Sequence, residues 1–368
     1  MALTRIPAPA IADVREPNFR NIIINGDMAV SQRATSAASV ASNGYHACDR
    51  WRYAESSSAV VTISQDTDVP TGQGFASSFK IDCTTADASL GAAEYVLLQQ
   101  KFEGQNLQYL KKGTSSAQSL TLSFWVKSTK TGTFIAMLYD RDNTRQIAKS
   151  YTVSVSDTWE QKTITYAGDT TGALDNDNAA SLELWLWLGV GSNYSSGSLS
   201  TSWATETAAN QAVGQVNAVD STSNNFLLTG VQLEAGSVAT DFEVVPYGQN
   251  LQRCQRYYYK TLALQANYPF GFGQCYSSTS AGCLVNFPVI MRTNPSALEQ
   301  SGTATDYQLY TSSGSVATCS AVPAIAGVDT TNLIGAVNFT VASGVSAGDV
   351  TQGTAVNTSA YLAWSAEL

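Results

Sequence analysis

The residues best suited to chemistry lie on one predicted strand, where Glu183, Trp185 and Trp187 alternate with leucines. Successive side chains of a strand point to opposite faces, so inward leucines place these three together on the outer face. A flat indole can stack on the apolar face of a pyranose ring, while a carboxylate accepts hydroxyl protons. The spacing predicts a carbohydrate-binding platform, which Trp125 on a second strand would extend. Tryptophan also suits a subunit contact or packing beneath a loop, so these alternatives stay open.

Glycine-flanked aromatic residues near the C-terminal end form a second candidate site. Tyrosine on such loops offers a large contact area at low cost in conformational entropy. The sequence therefore predicts a receptor contact at a C-terminal tip, although the same residues would also serve as core aromatics of a β domain. The predicted contact residues are Tyr268, Phe270, Phe272, Tyr307 and Tyr310.

The acidic segment from Asp169 to Asn178 is the only candidate for a metal ion. Asp169, Asp175 and Asp177 supply the oxygen ligands that Ca²⁺ prefers. The segment lacks the glycine and the terminal glutamate of an EF-hand, and turns use Asp and Asn equally often. We therefore expect no cofactor and keep calcium as an alternative.

Composition excludes several classes of function. The chain of 368 residues has a net charge of −9, so it lacks the basic stripe of a nucleic-acid-binding protein. A multi-histidine metal site is excluded because His46 is the only histidine in the sequence. There is no GxSxG nucleophile motif, and we expect no enzymatic activity. A glycosidase needs only two carboxylates at suitable spacing, so a glycan depolymerase remains an alternative.

The sequence also predicts a soluble protein made in the host cytoplasm. No stretch reaches the roughly 18 apolar residues needed to span a bilayer, and the N-terminus has no apolar signal region. The six cysteines show no CxxC pair, which favours buried free thiols. Cys275 and Cys283 could face each other across a hairpin, and whether any disulfide forms is left open.

Short alternating segments separated by polar turns dominate the chain and predict an all-β protein. We expect a jelly-roll β-sandwich over residues 20–246 and a smaller C-terminal β-sandwich tip domain over 260–368. Leu251, Cys254 and Tyr258 fall at helical spacing, which predicts a connecting helix over 247–259. The proline-rich residues 1–19 predict an extended N-terminal anchoring arm.

Four segments occur in order along the chain: NIIINGDMAVSQR at 21–33, CDRW at 48–51, LTGVQLEAG at 228–236 and CQRYYY at 254–259. Together they resemble bacteriophage tail fibres and related virion appendage proteins. A fifth segment, FPVIMRTNP at 287–295, is similar to the start of the tip domain that such proteins often carry. Two departures, Ala34 where glycine is common and Asp241 where proline is usual, affect loop geometry only. Asp49-Arg50-Trp51 also has a physical interpretation: Asp49 or Arg50 makes a charge-assisted hydrogen bond beside a packed Trp51.

The resemblance implies a homotrimeric structural protein on the surface of a phage particle. Its first domain would be a carbohydrate-binding jelly roll and its second a tip that meets the receptor. We expect the arm to contact other virion proteins and the fibre to adsorb to host cell-surface polysaccharide, without membrane insertion. A purely structural head or neck fibre remains an alternative, and the position on the virion is left open.

Overall fold

The computed structural model describes residues 19–327 and 329–368, so all of the predicted arm except Phe19 lies outside the described residues. The described residues form two β domains joined by a helix. The strands of the first domain are β1 Ser36–Val40, β2 Gly44–Tyr45, β3 Arg52–Glu55, β4 Val60–Asp66, β5 Ser78–Thr85, β6 Tyr95–Glu103, β7 Leu120–Ser128, β8 Gly132–Asp140, β9 Arg145–Val153, β10 Glu160–Tyr166, β11 Ala180–Val190, β12 Ala204–Thr205 and β13 Asn225–Ala235.

Two α-helices, four short 3₁₀ helices and nine further strands complete the secondary structure of the described residues. The short helix α1, Ser192–Ser195, follows β11, and α2, Tyr247–Gln255, joins the two domains. The strands of the second domain are β14 Tyr258–Leu262, β15 Pro269–Cys275, β16 Ser280–Asn286, β17 Leu298–Gln300, β18 Tyr307–Thr311, β19 Val316–Ile325, β20 Ile334–Val341, β21 Val350–Ala355 and β22 Tyr361–Ser365. Neither helix is long and apolar enough to cross a bilayer.

The first domain is an antiparallel sandwich of two sheets, which confirms the predicted all-β jelly roll. One sheet has six strands in the order β1-β4-β5-β13-β7-β10, and the other has seven in the order β12-β9-β8-β11-β6-β3-β2. Their facing sides form a continuous apolar core. Alternation explains the packing: on β7, Leu122, Phe124 and Val126 are buried in the core while Trp125 and Lys127 point outward.

The connecting helix is shorter than the predicted segment 247–259. It ends at Gln255, and its buried residues are Asn250 and Cys254, while Leu251 is only half-buried. Tyr258 belongs to β14, where it pairs with Ser365 of β22. Aromatic residues fit a pleated, half-buried surface well, so strand pairing of this tyrosine-rich segment takes the place of further helix.

The second domain is a closed barrel, where the sequence predicted a smaller sandwich. Six strands close in the order β15-β16-β20-β19-β18-β21, beside a three-stranded sheet β14-β22-β17. Closure removes exposed sheet edges, which a small open sandwich would retain. All six cysteines are buried free thiols, and Cys283 pairs with Gly273 across the β15–β16 hairpin, so Cys275 is not its direct partner.

The sequence segment Asp49-Arg50-Trp51 lies at the junction between the two domains. Asp49 accepts hydrogen bonds from the backbone and side chain of Gln32, and Gln32 also donates to the carbonyl of Tyr258. The buried Arg50 pairs with the Glu367 carboxylate beside Trp51, which is itself fully buried. The predicted charge-assisted bonds beside a packed tryptophan are therefore confirmed, and they connect both domains.

Candidate functional site

The side chains of β11 point alternately to the core and to the outer face, as its alternating sequence predicts. Leu182, Leu184, Leu186 and Leu188 all pack in the sandwich core. Glu183, Trp185 and Trp187 therefore lie on the opposite, outer face of the seven-stranded sheet, as predicted. Strand β6 pairs with β11 so that Lys101, Gln99 and Leu97 oppose Glu183, Trp185 and Trp187 in turn, and this register brings a second row of side chains onto the same face.

A groove with a volume of about 290 Å³ runs over this outer face. Its floor comes from β3, β6 and β11, and residues of the loop 191–219 contribute to its lining. It combines aromatic rings with charged and amide groups, the composition expected of a site for a polar ligand with apolar faces. The lining residues are Arg52, Ala54, Tyr95, Leu97, Gln99, Lys101, Arg141, Glu183, Trp185, Trp187, Tyr194, Glu206 and Gln211.

Trp185 is the predicted residue that best fits a stacking role. Its ring is half-buried and lines the groove. The indole Nε1 donates a 2.7 Å hydrogen bond to Glu183, and the ring packs at 5.3 Å from that of Tyr139 and at 5.6 Å from that of Trp187. These contacts hold the indole in one orientation, which lowers the entropy cost of binding a flat ligand.

Trp187 is covered by the protein's own loop. Its side chain is 1% exposed and packs against the rings of Tyr95 and Tyr194 at 6.5 and 5.7 Å. Ala212 and Leu199 of the loop 191–219 join the same apolar cluster. The two tryptophans therefore differ: loop packing, one of the open alternatives, applies to Trp187, whereas Trp185 keeps a surface on the groove.

Two buried polar atoms of the groove lining lack a hydrogen-bond partner among the described residues. They are Nε1 of Trp187 and Oε1 of Gln211, on side chains that are 1% and 2% exposed. A buried donor or acceptor without a partner costs about 1–3 kcal/mol, so such groups are uncommon unless a ligand or water satisfies them. Both atoms lie below the surface of the groove, so they are not exposed to a ligand in it.

Glu183 is buried, and its carboxylate positions other residues of the groove. Its carboxylate is 1% exposed and accepts hydrogen bonds from Gln99 at 3.1 Å, from Trp185 at 2.7 Å and from Arg141 at 3.1 Å. Both oxygens therefore already have donors. Glu183 therefore has little capacity left for the predicted role of accepting hydrogen bonds from sugar hydroxyls. It instead positions Trp185 and Arg141.

Sequence reasoning missed the cationic and amide residues of the groove. Lys101 and Gln99 share the outer face of β6, and Arg52 pairs opposite Gln99 from β3. Alternation in residues 95–103 would have placed Gln99 and Lys101 on one face. It contains no information on which strand lies beside β11, so their proximity to Trp185 could not be predicted.

Trp125 lies on the other side of the sandwich and does not extend the platform. It belongs to β7 of the six-stranded sheet, and its side chain points away from the core. Its neighbour Lys127 pairs there with Asp68 and Asp157 at 2.8 and 3.0 Å. The two sheets turn their outer faces in opposite directions, so Trp125 and Trp185 cannot contact one ligand ring.

Of the five predicted tip residues, three lie in or against the barrel core and two lie on the barrel exterior. Phe270 and Tyr307 are buried in the barrel core, and the half-buried Tyr268 packs against that core, so these three serve as core aromatics. Phe272 and Tyr310 are 58% and 48% exposed on the barrel exterior. Regular alternation would put Phe270 and Phe272 on the same face, but the register of β15 against β21 shifts between Pro269 and Gly271, and the regular alternation is interrupted at this irregularity.

The exposed Phe272 and Tyr310 are part of a larger surface, which we name the apolar row. Phe272 pairs with Leu284 on one side and with Gln352 on the other, and Gln352 pairs in turn with Tyr310, which pairs with Val316. The row crosses five neighbouring strands without a charged side chain. Its four apolar members, Leu284, Phe272, Tyr310 and Val316, are 48–58% exposed.

The carboxylates of the acidic segment 169–178 are not arranged to bind a metal ion together. Asp169 is buried and paired with Arg145 at 2.7 Å and with Lys112 at 3.0 Å. Burial alone would raise the pKa of Asp169, but the hydrogen bonds from Arg145 and Lys112 lower it. Within residues 19–327 and 329–368, no group of three His, Cys, Asp or Glu side chains is arranged to hold a metal ion.

Comparison with solved structures gives matches of low sequence identity and low TM-score. No family model and no curated protein matches the chain. Among solved structures, the enzymatically active domain of tailspike protein 4 of bacteriophage CBA120 is 14% identical with a TM-score of 0.33, and the match covers 59% of this chain but only 22% of the tailspike chain. A family 11 carbohydrate-binding module of Clostridium thermocellum is 12% identical with a TM-score of 0.28, covering 56% and 99% of the two chains. The module TmCBM61 in complex with β-1,4-galactotriose is 9% identical with a TM-score of 0.30, covering 59% and 99%.

Proposed function

We propose that this protein binds polysaccharide, without cleaving it, in the groove on the seven-stranded sheet. The observation that carries the proposal is the pre-positioned Trp185 ring in a groove whose lining also holds the cationic side chains of Arg52 and Lys101. An indole supplies the apolar surface for a sugar ring, and the cationic side chains donate hydrogen bonds to its oxygen atoms.

We further propose that the chain is a homotrimeric fibre component on a phage particle that adsorbs to host surface glycans. The sequence resemblance to virion appendage proteins supports this location, and the apolar row supports self-association. Several copies would raise the effective concentration of groove and glycan, so weak single sites suffice. Residues 1–19 would anchor the fibre to other virion proteins. Antibody labelling of purified phage particles tests whether the protein lies on the particle surface.

The binding proposal is tested by replacing Trp185 with alanine and measuring binding to an array of bacterial capsular and O-chain polysaccharides. Trp125→Ala is the matched control, because Trp125 is also a half-buried, outward-pointing tryptophan but lies on the opposite sheet. We expect Trp185→Ala to weaken binding at least about tenfold, since one stacking contact contributes about 1–3 kcal/mol when a base is the partner. Trp125→Ala should bind like the original chain.

Equal loss in both variants would contradict a site in the groove. Absence of binding to every array member by the original chain would instead favour the structural head or neck fibre without a receptor site. Circular dichroism and thermal unfolding of both variants separate lost binding from lost folding.

A depolymerase is the second candidate, because two carboxylates, Glu183 and Glu206, line the same groove. Such a pair is what a glycosidase requires. Both are already hydrogen-bonded, Glu183 as described above and Glu206 to Tyr139 at 2.9 Å and Gln211 at 3.1 Å. Steady release of new reducing ends from a bound polysaccharide, abolished by Glu206→Gln, would replace the non-enzymatic proposal.

A further inference from the structure

One end of the groove concentrates positive charge in a chain whose net charge is −9. Arg52, Lys101 and Arg141 lie there together with Glu183. Counting all ionisable carboxylates and cations of the lining, three cations face two carboxylates, Glu183 and Glu206, which leaves one positive charge in excess.

Two of the three cations, Lys101 and Arg52, make no ion pair with a carboxylate of the described residues. Arg141 pairs with Glu183, and Arg52 donates to the neutral Gln99 amide. Among the described residues, Glu206 accepts hydrogen bonds only from the neutral groups of Tyr139 and Gln211. The Lys101 ammonium has no hydrogen bond or ion pair with another described residue, although Lys101 is half-buried and opposes Glu183 in the strand register.

The surroundings of Lys101 disfavour its charge. Burial lowers the pKa of Lys101, Glu183 raises it, and Arg52 and Arg141 lower it further. A half-buried ammonium beside two guanidinium groups is stabilised by any anion that enters the groove, because the anion both pairs with it and offsets the repulsion.

We propose that the groove selects glycans that carry carboxylate groups, that is, polysaccharides containing uronic acids or related acidic sugars. This inference rests on the proposed function and specifies its ligand. The carboxylate lies against Lys101 and Arg52, and a neighbouring sugar ring stacks on Trp185. Further along β11, Trp187 lies beneath the loop 191–219 and packs against the Trp185 ring, which it holds in place for this stacking.

The single excess charge favours a carboxylate over a sulfate- or phosphate-dense ligand. One singly charged group per bound segment neutralises the groove, whereas clustered anions would meet Glu183 and Glu206 without further cations to pair with. Sulfated glycans are therefore included as an arm of the experiment.

The test uses the full chain and paired polysaccharides: polygalacturonate, hyaluronan and alginate, each in native form and after chemical reduction of its carboxyl groups to hydroxymethyl groups. Reduction preserves each sugar ring and linkage while it removes the charge. We expect at least one native polysaccharide to bind, and its reduced form to bind at least about tenfold more weakly, which is about 1.4 kcal/mol. Binding should also weaken as salt is raised.

The variants Lys101→Met and Lys101→Arg test the role of the ammonium. Lys101→Met should lose the preference for the native over the reduced form, and Lys101→Arg should retain it. Lys111→Met removes the same charge at an exposed position outside the groove and should leave the preference unchanged. Unfolding midpoints establish that each variant is folded.

The possible outcomes separate this inference from the proposed function. Equal binding of native and reduced forms, with Trp185→Ala still weakening both, overturns the carboxylate inference and leaves the carbohydrate groove intact. Stronger binding of heparin than of any carboxylate polysaccharide also overturns it, in favour of a sulfated ligand. Binding of none of these polysaccharides, native or reduced, overturns the carboxylate inference, whereas absence of binding to the bacterial array as well contradicts both proposals.

Discussion

At the residue scale, the junction between the domains is a set of buried polar side chains with assigned partners. Arg50 is 1% exposed, donates to the carbonyl of Lys101 at 2.8 Å and stacks on Tyr257 with its guanidinium carbon 3.4 Å from the ring centroid. The same arginine pairs with Glu367 near the end of the second domain. Removing one member of a buried pair leaves an uncompensated charge, so each partner constrains the others.

Asp49 makes folding stability depend on pH. Burial raises the pKa of Asp49 from its ordinary 3.8 to about 6, against the hydrogen bonds from Gln32 that lower it. Between pH 4 and 6 the folded state therefore binds more protons at Asp49 than the unfolded state, so this residue's contribution to stability falls as pH rises. We expect it to fall by about 2–3 kcal/mol between pH 4 and pH 7.

The measurement is the free energy of unfolding of the original chain and of Asp49→Asn by urea titration at pH 4, 5, 6 and 7. The difference between the two proteins should shift in favour of the variant as pH rises. Asp177→Asn, at an exposed position of the acidic loop, controls for the loss of a carboxylate. A difference that stays constant across this range would contradict the assignment to Asp49.

At the element scale, β11 supplies both the core and the site. Its leucines hold the seven-stranded sheet against the six-stranded one, and its outer face presents Trp185 to the groove. The loop 191–219 then covers Trp187 and leaves Trp185 accessible. A site built on a strand whose other face is in the core keeps its geometry, because the strand cannot shift without disturbing the core.

Strand β13 depends on a glycine at its irregular position. Gly230 has φ of +60°, within a register shift between Thr229 and Gln232, and an added Cβ would lie 2.5 Å from the Phe75 ring. Gly230→Ala should therefore destabilise the protein by at least about 1–2 kcal/mol, from the left-handed backbone alone. Urea unfolding measures the change.

Gly248→Ala is the matched control for Gly230→Ala. Gly248 lies in α2, and an added Cβ would meet no atom within 4 Å. Alanine is a better helix former than glycine by up to about 1 kcal/mol, so this variant should be as stable as the original chain or more stable. Loss of stability in both variants, or in neither, would count against the steric and conformational role of Gly230.

At the scale of the whole molecule, ion pairs and hydrogen bonds join the sandwich, the helix and the barrel. Arg256, just after α2, makes two hydrogen bonds of 2.7 and 2.6 Å to Glu103 of the sandwich. Arg292 of the second domain exchanges hydrogen bonds with Asn178 of the first. The barrel is thereby held against the sandwich, and the apolar row remains on its exterior.

The proposed trimer makes the apolar row a contact between copies. Light scattering should give the original chain a mass three times that of one chain, because burying this uncharged surface favours association. Replacing both Phe272 and Leu284 by aspartate places two charges side by side in the row and should yield single chains. Leu264→Asp, at a position 77% exposed outside the row, should leave the mass unchanged.

A single-chain mass for the original protein would contradict the trimer. If the original chain is a trimer and the double variant remains one, copies associate elsewhere, and the row becomes available as the predicted receptor contact of Phe272 and Tyr310.

Much of the fold could be read from local patterns. Alternation assigned the inward and outward faces of β7 and β11, and the Asp49-Arg50-Trp51 segment was expected to combine charge-assisted bonds with a packed tryptophan. Each of these depends on residues near one another in the chain, where strand geometry and side-chain chemistry act locally. The end of the helix and the closure of the barrel were not predicted, because the partner of Tyr258 lies more than a hundred residues away.

The sequence by itself determined that Trp185 and Trp187 leave the core together, since period-two alternation is a property of one strand. Only the tertiary structure decided that Lys101 and Arg52 stand beside them, that Trp125 faces the other way and that a loop closes over Trp187. Strand order and register arise from pairing between distant segments, and many orders satisfy the same alternation. The groove therefore depends on both the local alternation of β11 and the long-range pairing that places β6 and β3 beside it.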